Sequence, residues 1–92
     1  MTFSFTVWVT SLPEGCDLAA WSNALWEAGC DDSSPGIDCG RPYVHFDRES
    51  SSLSAAINSA VKAVRSTGAV VSRVEMLEEE LVGLEAAELA HA

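Results

Sequence analysis

The chain has 92 residues, 48% of them hydrophobic, with three Trp, three Phe and one Tyr. That length allows a single small core, and that composition excludes a disordered chain. Fourteen acids against five bases give a net charge of −9, which argues against a surface built to neutralise nucleic-acid phosphates.

FSFTVWVT, residues 3–10, alternates apolar with polar and predicts a half-buried strand. Phe3, Phe5, Val7 and Val9 share one face; Ser4, Thr6, Trp8 and Thr10 share the other. This segment has no basic region ahead of an apolar run, so it is not expected to be a signal peptide, and a cytoplasmic location is expected. LPEG (12–15) reads as a turn, and Asp17 is placed to cap a helix. LAAWSNALWEAG (18–29) supplies that helix, with Leu18, Trp21, Leu25 and Ala28 at helical spacing and Gly29 at its end. Residues 30–40 are expected to form a long loop with a short strand near 37–39. In that loop Asp31 and Asp32, with Asp38 nearby, are expected to form an acidic cluster.

RPYVHFD (41–47) predicts a second strand, with Val44 and Phe46 on one face and Tyr43, His45 and Asp47 on the other. Ser50, Ser51 and Ser52 offer caps for LSAAINSAVKAVRS (53–66). Its stripe of Leu53, Ala56, Ile57, Ala60, Val61 and Val64 predicts a helix, and Gly68 follows it. AVVSRVEM (69–76) predicts a last strand, with Val70, Val74 and Met76 on one face and Arg73 directed to the helix side. Beyond it, residues 77–92 are expected to form an acidic extension anchored by Leu77, Leu81 and Leu84, broken at Gly83 and ending in a short acidic helix over LEAAELAHA (84–92).

The order strand, helix, weak strand, strand, helix, strand predicts an α+β fold. It is the ferredoxin-like βαββαβ arrangement, with two helices on one face of a mostly antiparallel four-stranded sheet. The expected organisation is one ferredoxin-like domain over 1–76, with the acidic extension 77–92 packed on it. No apolar run approaches the ~20 residues of a membrane helix.

Charge is segregated along the chain. Residues 1–40 hold six acids and no base; residues 41–73 hold all five bases; residues 74–92 hold six acids and no base. This pattern points to a cationic protein partner, such as one that itself holds nucleic acid, bound without chemistry. The candidate partner-binding residues are Asp31, Asp32, Asp38, Glu75, Glu78, Glu79, Glu80, Glu85 and Glu88. The sheet face away from the helices should show Thr6, Trp8, Tyr43, His45 and Ser72. RNA-stacking sheets add basic and glycine residues to such aromatics, and that motif is missing here. Cover by the extension or by a second copy is the expectation.

Cys16, Cys30 and Cys39 form no C-x-x-C pair and are expected to be reduced thiols. No metal or cofactor is expected. No enzyme is expected either: His45 has no nucleophile at strand spacing, and no phosphate-binding glycine loop occurs.

EAGCDDSSPG (27–36), VHFDRES (44–50), AINSAVKAVRSTGAVVSRVE (56–75) and LVGLEAAEL (81–89) together resemble a group of small bacterial proteins. In these an N-terminal ferredoxin-like domain precedes a helix-turn-helix, and they are regarded as DNA-binding regulators. There a segment like LVGLEAAEL opens the helix-turn-helix, and a basic recognition helix follows; here the sequence stops at Ala92, so DNA reading is not expected to carry over. In size, acidity and expected fold the chain is also similar to phage-borne anti-CRISPR proteins, specifically ferredoxin-like inhibitors of type I-C systems. That resemblance implies a DNA mimic acting as a monomer or weak homodimer. The implied partner is the large subunit of the surveillance complex, at its basic cleft for the protospacer-adjacent motif and target DNA. The regulator-like resemblance implies instead a dimerisation module or an antitoxin-like protein.

Overall fold

The computed structural model describes residues 1–76. The acidic extension, its expected helix and its packing on the domain lie outside the described residues. The elements are β1 (Thr2–Val9), α1 (Leu18–Glu27), β2 (Ser33–Asp38), β3 (Arg41–Glu49), α2 (Leu53–Ser66) and β4 (Val71–Glu75). The strands form one sheet in the order β2-β3-β1-β4. All three neighbouring pairs are antiparallel, so the sheet is antiparallel throughout.

The alternation in β1 and β3 decides where the core lies. Phe5, Val7, Val9, Val44 and Phe46 are buried and meet Trp21 and Leu25 of α1 and Ala56, Ala60 and Val64 of α2. Both helices therefore cover the same face of the sheet. Phe5 and Phe46 face each other across the β1–β3 ladder, with ring centroids 5.6 Å apart. Fully burying side chains of this size stabilises by roughly 1.5–3 kcal/mol each.

Local chemistry fixes the helix ends. Asp17 accepts the Ala20 amide at 2.8 Å, and Ser52 accepts the Ala55 amide at 3.1 Å. The Trp21 indole donates to Thr67 Oγ1 at 3.0 Å, which ties α1 to the end of α2.

Two expectations are corrected. The segment 30–40 is mostly strand: β2 runs over six residues, in spite of Pro35 and Gly36. It lies at the sheet edge, where a missing amide and a weak propensity are tolerated. Gly36 sits opposite Tyr43, and a Cβ there would come within 2.5 Å of the Tyr43 hydroxyl, so the tyrosine ring covers the bare backbone.

The second correction concerns β4. Val7 pairs with Val74 and Trp8 with Arg73, but Val9 pairs with Val71. Ser72 is the extra residue of a bulge, and a bulge reverses which side chains point inward. Val71, Val74 and Met76 pack on the core, whereas Val70 is 61% exposed. Arg73 lands on the open face with Trp8, away from the helices.

Candidate functional site

The acidic cluster expected between α1 and β3 does not form. Asp31 is exposed in the turn before β2, and Asp38 is exposed at the far end of β2. An extended chain rises ~3.3 Å per residue, so these two carboxylates stand about 20 Å apart. Asp32 is engaged inside the fold. Arg48 donates to it from Nε at 2.8 Å and from Nη2 at 2.9 Å, a two-pronged ion pair with side chains only 13% and 24% exposed. Those hydrogen bonds hold the Asp32 carboxyl below its ordinary value and push the Arg48 guanidinium up. Arg48 also donates to Ser59 Oγ on α2 at 3.1 Å, and its guanidinium lies 4.8 Å over the Phe46 ring. Burial pushes the neighbouring Cys30 thiol up, away from reactive thiolate chemistry.

Glu75 lies on β4 opposite Thr6, on the open face, with Arg73 Nη2 3.6 Å from its carboxylate. Glu78, Glu79, Glu80, Glu85 and Glu88 lie outside the described residues. Of the nine predicted contact residues, the structure therefore leaves Asp31, Asp38 and Glu75 available and removes Asp32.

The open face holds what was expected of it and one group more. Trp8 and Tyr43 are cross-strand neighbours with ring centroids 5.3 Å apart and planes tilted by 51°. Arg73 lies over the Trp8 ring at 5.0 Å, from the β4 side. Arg73 precedes the inward-facing Val74, so strand alternation turns it to the open face, and the bulge lies ahead of it. The signal that reveals the bulge is the spacing of the apolar residues Val71, Val74 and Met76, three and then two, which a strand without a bulge cannot keep on one face. Two shallow hollows flank Trp8. One, of about 260 Å³, is lined by Trp8, Val9, Thr10, Arg41, Ser72 and Arg73. The other, of about 280 Å³, is lined by Thr6, Trp8, Ile37, Asp38 and Tyr43. The Trp8 indole N–H is buried and finds no acceptor among the described residues.

His45 does have a hydroxyl partner, which spacing along its own strand could not show. Thr6, directly across the ladder, places Oγ1 3.0 Å from His45 Nδ1. Asp47 Oδ1 lies 3.4 Å from His45 Nε2 and also accepts from Ser4 Oγ at 2.6 Å. Hydroxyl, imidazole and carboxylate thus form a chain. Acyl transfer would also need donors converging on a developing oxyanion. The chain of groups runs across the β1–β3 ladder on the open face.

Among the described residues, no group of three His, Cys, Asp or Glu is placed to hold a metal ion, and no helix is long and apolar enough to cross a membrane. Comparison with protein-family models, with curated proteins and with solved structures returns no match.

Proposed function

We propose that this chain is a non-enzymatic acidic binding protein of the anti-CRISPR kind. It acts in the host bacterial cytoplasm. It occupies the basic, DNA-receiving cleft of the large subunit of a type I-C surveillance complex and so keeps target DNA out. The strand order and the antiparallel pairing support a ferredoxin-like domain over 1–76 as its scaffold.

The observation that carries this reading is how the few bases are used. Arg48 is consumed by Asp32 inside the fold. Removing one base from five and one acid from fourteen leaves four bases and thirteen acids in the sequence. Of those four, Arg73 is held between Trp8 and Glu75. Asp31 and Asp38 stand exposed at the two ends of the edge strand β2, with about 20 Å between them. Duplex DNA carries a charge every ~1.7 Å along its axis, so a rim of carboxylates over such a length meets cations spaced for phosphates.

The test is competition. Purified protein is titrated into a type I-C surveillance complex with labelled target DNA, at low and moderate salt. The expected result is loss of the DNA-bound species with the protein co-eluting on the effector, weaker at the higher salt. Asp31→Lys with Asp38→Lys, and separately Glu79→Lys with Glu80→Lys, should weaken the block while leaving the circular-dichroism melt in place. Full inhibition by both charge-reversed variants would overturn the mimicry. A second reading, an interaction module of helix-turn-helix or antitoxin-like lineage, is favoured by the aromatic open face around Trp8 and Tyr43.

A further inference from the structure

The open sheet face carries its charges in an order that complements itself. Along β3 the outward residues run Arg41, Tyr43, His45, Asp47. On β4 they run Arg73 and then Glu75, level with Trp8 and Thr6 of β1. Arg41 and Arg73 therefore lie toward the end nearest the β2–β3 turn, where Asp38 of the edge strand stands across from Arg41, and Glu75 and Asp47 follow toward the other end. A two-fold axis laid across the strands, between the Trp8–Tyr43 rung and the Thr6–His45 rung, reverses this order. It sets Arg41 over Asp47 of a second copy and Arg73 over Glu75 of that copy. Both contacts occur twice, as a two-fold interface requires.

We infer that this face is a self-association surface and that its occupant is a second copy of the chain. The two sheets pack face to face, with Trp8 and Tyr43 near the centre and the Arg–carboxylate pairs toward the rim. Sheets that pack this way hold their strands within about 30° of alignment, which keeps both pairs in reach. The hollow formed by Arg41, Arg73, Thr10 and Ser72 is suited to receive a carboxylate. The face is four strands wide and four rungs long, roughly 17 by 20 Å from strand spacing and rise. That is at the small end for protein interfaces, so the association is expected to be weak and concentration-dependent. The inhibitor reading shares Asp38 and Glu75 with this face, but the test of self-association uses no CRISPR component, so the two readings fail separately.

The test is a charge swap on the full chain. One variant carries Arg41→Glu and Arg73→Glu; the other carries Asp47→Lys and Glu75→Lys. All four positions are at the surface, and circular-dichroism melts confirm that each variant folds. Light scattering on a sizing column, from micromolar to near-millimolar protein, reads the mass. The native chain is expected to rise from 9.8 kDa toward twice that value. Each variant alone should stay at the monomer mass, because like charges then face each other. An equimolar mixture should regain the doubled mass, since one partner is acidic at both ends and the other basic. A native chain that stays monomeric throughout overturns the inference, as does cover of the face by residues 77–92. A mixture that fails to associate, or variants that dimerise alone, overturns the register.

Discussion

Arg48 touches three elements from one side chain: Asp32 ahead of β2, Phe46 beside it on β3, and Ser59 on α2. The acidic segment at 31–32 and β3 thus meet in a single ion pair that serves the fold. Exposed pairs are worth about 0–1 kcal/mol, whereas breaking a buried pair costs about 3–5 kcal/mol. At 13% and 24% exposure this pair lies between those limits. Asp32→Asn is therefore expected to destabilise the fold by about 2 kcal/mol, read by urea unfolding, while Asp31→Asn changes it by under ~0.5 kcal/mol. The pH dependence has a definite sign. The folded Asp32 value is lowered, so its contribution is fully present above the ordinary carboxylate range near 4 and is lost as pH falls through the lower folded value. The stability gap between native and Asp32→Asn should be constant at neutral pH and close at acid pH. A gap that widens on acidification, or equal effects at Asp31 and Asp32, would contradict the assignment.

At the scale of elements, the β2–β3 turn is the feature that sequence patterning missed. It is a two-residue hairpin turn in which both Cys39 and Gly40 have positive φ, 50° and 77°. Such turns match the twist of the flanking strands and favour Asn-Gly. A non-glycine left-handed residue costs roughly 1–2 kcal/mol, less for asparagine. Under reducing conditions Cys39→Asn is expected to stabilise by about 0.5–1 kcal/mol, a rise of a few degrees in the melting temperature, and Cys39→Val to lower it. A fall with Asn would mean that the thiol makes a contact the turn geometry does not require.

The same scale shows what was legible. Period-two alternation gave β1 and β3 with the right faces, because each strand buries one face only. Periodicity and the Asp17 and Ser52 caps placed both helices. The strand β2 was hidden because Pro35 and Gly36 have poor strand propensity and only the edge position excuses them. The bulge in β4 was hidden because one extra residue reverses parity ahead of Arg73, which turns Val71 inward and Val70 out, whereas Arg73 faces outward by plain alternation with the inward Val74. The acidic cluster failed for the related reason that a loop gathers its residues while a strand spreads them. Nothing local in the sequence marks Arg48 as the partner that removes Asp32 from the candidate set.

For the whole molecule, net charge acts on stability and on association together. A chain at −9 repels itself, and compaction brings its acids closer than the unfolded chain does. Salt screens that repulsion over a Debye length of about 10 Å at 0.1 M. It screens exposed attractions too, but among the described residues these are few, such as Arg73 with Glu75 at 3.6 Å. The Asp32–Arg48 pair is largely sheltered from solvent and is screened less. The melting temperature is therefore expected to rise by several degrees between ~10 mM and ~0.3 M NaCl, measured on dilute protein to keep association out. Binding to a cationic cleft should weaken over the same range, because there the interaction is the attraction that salt removes. The two trends have opposite signs for one cause. A melting temperature that fell with salt would mean that attractive pairs dominate the surface, and a net acidic, DNA-like exterior would not describe the protein.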